Sequence, residues 1–156
     1  YYRPAPGNAI LVGSEDPECD QRQWIDDPDE FNRDVTEIQW NAQVMRLAKR
    51  FEQIGIPNRT KGVVDLYDVS DDWIPIYDKS DLEGFYMAIG TSGNQFKNAS
   101  IAACMMTELI DNCENGVDHD QHPIQFKAAY TKKKLNIGFY SRKRELNKNS
   151  SFSVRG

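Results

Sequence analysis

The chain has 156 residues and carries 19 Lys and Arg against 24 Asp and Glu, a net charge of −5. That length allows one domain of ordinary size with a real core. Seven Phe, seven Tyr and three Trp argue against disorder, the acidic balance argues against a nucleic-acid partner, and no apolar run approaches the ~18–20 residues of a membrane span.

The opening Tyr1-Tyr2 shows no signal-peptide pattern and reads as a processed start or as part of something longer. The apolar run Asn8 to Gly13, after Pro4, Pro6 and Gly7, predicts a strand. Residues 16–33 are acidic, carry Pro17 and Pro28, and suit an exposed loop. Asp34 and Glu37 have capping-box spacing. Trp40, Val44, Leu47, Ala48 and Phe51 then recur at helical spacing, which predicts an amphipathic helix over 35–54, closed by Gly55 and Pro57. Lys61–Val69, Trp73–Tyr77 and Gly84–Ile89 predict three strands joined by polar turns. A helix follows over 98–111, with Ile101, Ala102, Met105, Met106, Leu109 and Ile110 on one face and Asn115-Gly116 at its end. A short helix is expected between Pro123 and Tyr130. Residues 131–156 form a basic, partly mobile tail.

The three cysteines, Cys19, Cys104 and Cys113, are odd in number and lack CxxC spacing. Cys104 reads as a small core hydrophobe. No disulfide framework is expected, and a reducing, cytoplasmic compartment is the simpler reading. His119 and His122 flank Asp120 in a short polar loop, where no metal site is expected.

One segment has a clear chemical use. The third strand runs through Gly90-Thr91-Ser92-Gly93-Asn94-Gln95-Phe96-Lys97 into a helix. A helix N-terminus carries unpaired N–H groups and about half a positive charge, and glycines let backbone approach a ligand closely. Lys97 adds a full charge. The pattern is neither the dinucleotide fingerprint G-x-G-x-x-G nor a P-loop.

Three ordered blocks then carry a resemblance: Tyr1-Tyr2-Arg3-Pro4 through Leu11-Val12-Gly13, Leu66 through Ile76 (LYDVSDDWIPI), and Gly84 through Lys97 (GFYMAIGTSGNQFK). Together they resemble the C-terminal part of FAD-dependent oxidoreductases of the D-amino-acid oxidase/sarcosine oxidase superfamily, over about residues 1–130. The resemblance implies an α+β fold, the C-terminal portion of a two-domain flavoenzyme. Residues 1–69 would end the substrate-binding mixed sheet, and 70–130 would supply the returning strands and final helix of the FAD domain.

It also implies that residues 90–97 lie against the flavin. Lys97 would pair with a substrate carboxylate. Beside that resemblance, Arg3 could meet the same group or stabilise its loop, and Tyr67 could wall the pocket or belong to the core. The substrate would be a small amine or amino acid, oxidised at a C–N bond by hydride transfer to flavin. No residue is expected to act as a catalytic acid or base. The ADP-gripping N-terminal region of the family has no counterpart in these residues and would be supplied in cis or in trans.

Departures from the family pattern refine these expectations. The family's His-Gly is Asn94-Gln95 here. Asp65 stands where sarcosine-oxidase-like members attach flavin to a cysteine, so any FAD would be non-covalent. Leu11 stands where they carry an oxygen-activating lysine, which favours a dehydrogenase-type acceptor. The alternative is a non-catalytic fragment or split-enzyme subunit that keeps the fold and binds no flavin by itself.

Overall fold

A computed structural model describes residues 1–13 and 22–154. Cys19 and part of the acidic loop lie outside them. The architecture is mixed α and β, with two α-helices and three two-stranded antiparallel sheets among the described residues. The chain divides into two compact units, Tyr1–Leu66 and Tyr67–Gly156.

In the first unit, β1 (Tyr2–Ala5) pairs with β2 (Ala9–Val12), Arg3 facing Leu11 in the register. The intervening turn places Gly7 and Asn8 at positive φ, which these two residue types accept at least cost. The sequence predicts the second strand alone. Its partner is masked by Pro4, which occupies an edge position where a missing N–H is tolerated.

Helix α1 covers Glu37–Ala48, shorter than the expected 35–54. Its N-cap is Thr36, whose hydroxyl accepts from the Gln39 N–H at 3.4 Å. The start signal is thus a Thr-x-x-Gln box two residues past the one expected at Asp34. The helix ends early because its last turn tightens: the Arg50 N–H donates to the Leu47 carbonyl at 2.9 Å and Phe51 to Ala48 at 3.4 Å. Phe51 then meets the Tyr2 ring edge-on at 5.3 Å. Residues 61–69 form no strand. Val63 is exposed, and no described segment offers this stretch a ladder.

In the second unit, β3 (Ile76–Lys79) pairs with β4 (Tyr86–Ile89). A 3₁₀ turn over Gln95–Asn98 leads into α2 (Ala99–Glu114). Met105 and Leu109, one turn apart, are the buried positions of α2. They pack with Tyr77, Ile124, Phe126 and Ile137, and Ile101, Ala102, Met106 and Cys113 lie at the margin. Cys104 is exposed, against the expectation of a core thiol, because it lies beside that stripe and not on it. Asn115 caps α2 and Gly116 turns away at φ 88°.

Past Pro123 the expected helix is a strand, β5 (Gln125–Lys127), paired with β6 (Lys134–Asn136). Burial alternates here: Ile124 and Phe126 inside, Gln125 and Lys127 outside. That two-residue period is the signal for a strand, and the helical reading passed over it. The segment read as a basic tail supplies β6, a 3₁₀ turn over Ile137–Tyr140 with Ile137 fully buried, and two arginines bonded to buried carboxylates.

Candidate functional site

The turn after β4 is built around a carboxylate. Asp68 accepts from the N–H of Gly90 at 2.9 Å, from the N–H of Thr91 at 3.1 Å and from the Thr91 hydroxyl. The Asp68 carbonyl accepts from the Ser92 N–H at 2.9 Å. Burial works to raise the Asp68 pKa, and the bonds from Thr91 and Gly90 outweigh it and hold it below the usual carboxylate range. The amides at the start of the turn thus already bind an anion, and it belongs to the chain itself. Gly90, Ser92 and Gly93 all take positive φ.

The two glycines give close approach, but to protein. A Cβ on Gly93 would sit 2.7 Å from the Tyr67 ring, and one on Gly90 would sit 3.2 Å from Ser70 Cβ. Tyr67 therefore covers the turn.

Further along, the side chains link in series. The Tyr77 hydroxyl donates to Gln95 Oε1 at 2.9 Å, Asn98 Nδ2 donates to the same atom at 3.1 Å, and Gln95 Nε2 donates to Asn94 Oδ1. Asn94 is only 7% exposed, and its Nδ2 is buried with no partner among the described residues. A buried donor left unmade costs about 1–3 kcal/mol, so this atom marks a place where an acceptor would be favourable.

Asn94 lines a cleft of about 460 Å³ together with Gln95 and Lys97. Trp73, Phe139 and Tyr140 give it aromatic surface, and Asn147 and Asn149 add amides. That size and mixed lining suit a small flat ligand. Trp73 holds a positive φ of 61°, a strained setting for a bulky residue. The Tyr77 and Tyr140 rings meet at 5.1 Å, and burial pushes both phenols up.

Two carboxylate–guanidinium clamps hold this unit together. Asp72, 1% exposed, takes Arg144 Nη2 at 2.6 Å and Nε at 3.1 Å, along with the N–H of Ile74 and of Asn147. Burial opposes its ionisation, and these bonds outweigh burial and bring its pKa down to about 2. The clamp thereby joins two walls of the cleft, Trp73–Pro75 and Asn147–Ser151.

The second clamp gathers Asp78, Asp81 and Asp120 on Arg142, with Nη1 3.0 Å from Asp78 and 2.9 Å from Asp120. The Arg142 bond, despite partial burial, holds the Asp120 carboxyl far below its usual range. His119 is buried behind it and accepts from the Ile124 N–H at Nδ1, 3.1 Å. Its Nε2 lies 3.9 Å from Asp78. Burial lowers the His119 pKa, and Asp78 and Asp120 only partly offset that. Among the described residues no group of three or more His, Cys, Asp or Glu side chains is placed to hold a metal ion.

The expected site residues thus divide. Gly90 to Lys97 and Tyr67 come together in the second unit, whereas Arg3 stands on β1 of the first. Phe96 is 98% exposed and outside the lining. Asp68, Asp72, Phe139, Tyr140 and Arg144 join the site through contacts that the sequence does not single out. Asp68 and Asp72 lie within the LYDVSDDWIPI block, which was the available signal. The arginines sat in the supposed tail.

Comparison of the chain with family models, characterised proteins and solved structures returns no match.

Proposed function

We propose that this chain is the C-terminal portion of an FAD-dependent oxidoreductase that oxidises a C–N bond of a small amine or amino acid. The observation that carries the reading is the passage of β4 through Gly90–Gln95 into α2, beside an aromatic- and amide-lined cleft whose lining includes Asn94, a residue with a buried Nδ2 that has no partner among the described residues. Three ordered sequence blocks that resemble the D-amino-acid oxidase/sarcosine oxidase superfamily support it. In this reading residues 1–69 end a substrate-binding sheet and 70–130 belong to the FAD domain. The segment that grips ADP is contributed by further polypeptide, in cis or in trans, in a reducing, cytoplasmic setting.

The donor set suits a flavin ring. Its carbonyl edge needs N–H donors and its faces need flat apolar cover. Asn94 Nδ2 is such a donor, and Trp73, Phe139 and Tyr140 are such surfaces. Helix α2 has no acidic residue in its first turn and no side-chain cap, and it continues the 3₁₀ turn over Gln95–Asn98, its Ala99 N–H donating to the Phe96 carbonyl. Bound flavin supplies the acceptor for the hydride that leaves the substrate carbon. Lys97, at the cleft, pairs with a substrate carboxylate, and Tyr67 bounds the turn. No side chain takes an acid or base role: a neutral amine needs orientation and a poised acceptor.

A second reading is a non-catalytic subunit or fragment. Asp68 on the amides of Gly90 and Thr91, and Tyr67 over Gly93, favour it, because protein fills two places where a flavin would meet backbone. The two readings differ in flavin content. The purified product of the gene encoding this sequence should hold FAD that acid precipitation releases, since Asp65 offers no thiol. Asn94→Leu should lower FAD occupancy. A product that holds none, and takes up none from added FAD, leaves only the second reading.

A further inference from the structure

The β5–β6 hairpin is a cationic feature on an acidic chain. Lys127 and Lys134 are paired directly across the two strands, and Lys132 and Lys133 lie in the connecting turn. All four are exposed, and none forms an ion pair with a described residue. From Pro123 to Arg144 the sequence contains no Asp or Glu. Like charges facing each other across a ladder destabilise it unless an anion lies over them. Phe126 and Leu135, the middle of the three register pairs, face the core side, so Lys127 and Lys134 occupy the opposite face. At the turn Tyr130 is 97% exposed.

We propose that this hairpin docks on an anionic phospholipid surface, with the lysines against headgroups and the Tyr130 ring at the interface. A tyrosine flanked by lysines is the combination that headgroup level favours, one end apolar and the other wet. Each lysine near an anionic lipid surface contributes about 1 kcal/mol; the Lys132 ammonium also donates to the Ala129 carbonyl at 2.6 Å. Shape separates this partner from nucleic acid. The hairpin offers a turn with one free aromatic ring, whereas a single strand needs a charged groove with successive stacking platforms. Among the described residues no helix is long and apolar enough to cross a membrane.

The test is flotation of the full chain with phosphatidylcholine vesicles, with and without about one-third phosphatidylserine. Binding should require the anionic lipid and fall as salt is raised. The double variant Lys133→Gln/Lys134→Gln should partition about 25-fold more weakly, from about fivefold per lysine. Tyr130→Ala should weaken it further. Arg59→Gln/Lys61→Gln, which removes equal charge from exposed positions of the first unit, should bind as the wild type does. All these positions are exposed, and circular dichroism would check that the variants fold. Equal binding to both vesicle types, an equal loss in the control pair, or tighter binding to polyuridine than to anionic vesicles would each overturn the proposal.

Discussion

Removing the Arg144 guanidinium should cost the second unit about 3–5 kcal/mol, because it leaves Asp72 ionised, 1% exposed and short of two charge-assisted bonds. The stabilisation of this carboxylate can be sized separately. Burial raises its pKa, and Arg144, Asn147 and Ile74 together outweigh burial and bring it to about 2. Relative to an ordinary aspartate that depression is worth about 2 kcal/mol at neutral pH. A lowered carboxylate pKa stabilises the fold above the unfolded value. The contribution should persist down to about pH 4 and disappear as pH falls towards about 2.

The assay is urea unfolding followed by Trp73 emission, in a Trp24→Phe/Trp40→Phe background, since Trp73 adjoins Asp72 and is buried. Arg144→Ala should lower the midpoint sharply. Asp72→Asn/Arg144→Leu should lose less than Arg144→Ala alone, because no buried charge is left without a partner. The reasoning fails if Arg144→Ala stays within about 1 kcal/mol of the wild type, or if the double variant is the worse of the two.

Gly93→Ala should destabilise by about 1–3 kcal/mol, from a positive φ of 75° and a Cβ 2.7 Å from the Tyr67 ring. Tyr67→Ala in the same chain should recover the steric part and leave the backbone part, measured by thermal melting. Leu109→Ala, at a fully buried position of α2, should cost about 2–5 kcal/mol, and Cys104→Ser on the exposed face should change little. His119 should titrate below the ordinary imidazole range near 6.5, because it is buried as a neutral acceptor of the Ile124 N–H. Its lowered pKa means that the unfolded chain binds the proton first, so stability should fall as pH drops below about 6.5. Imidazole resonances that titrate above that value would contradict this.

Much of the second unit was legible in the sequence. The apolar stripe Ile101, Ala102, Met105 and Leu109 fixes α2, and the glycine-bearing run after Ile89 marks the turn that precedes it. Other features depend on partners distant in sequence. Whether 61–69 becomes a strand is decided by the presence of a ladder, which its β propensity does not specify. Arg142 and Arg144 look like solvated tail residues until Asp78 and Asp72, more than sixty positions earlier, are brought against them. Asn94 was legible as part of a motif. That its Nδ2 would be buried and unpartnered was not, because that depends on Gln95 taking the Oδ1 and on the walls closing around the amide.

Under the proposed function, Gly90–Lys97 and the adjoining cleft serve a flavin that accepts hydride from a small amine. Anaerobic addition of N-methylated and unsubstituted amino acids to the purified gene product, followed by its visible spectrum, tests this directly. The account predicts flavin absorbance that bleaches with at least one of these amines, and more slowly at low amine concentration in Lys97→Met. A protein with no flavin absorbance before or after incubation with FAD, or a bound flavin that no amine bleaches, would contradict it.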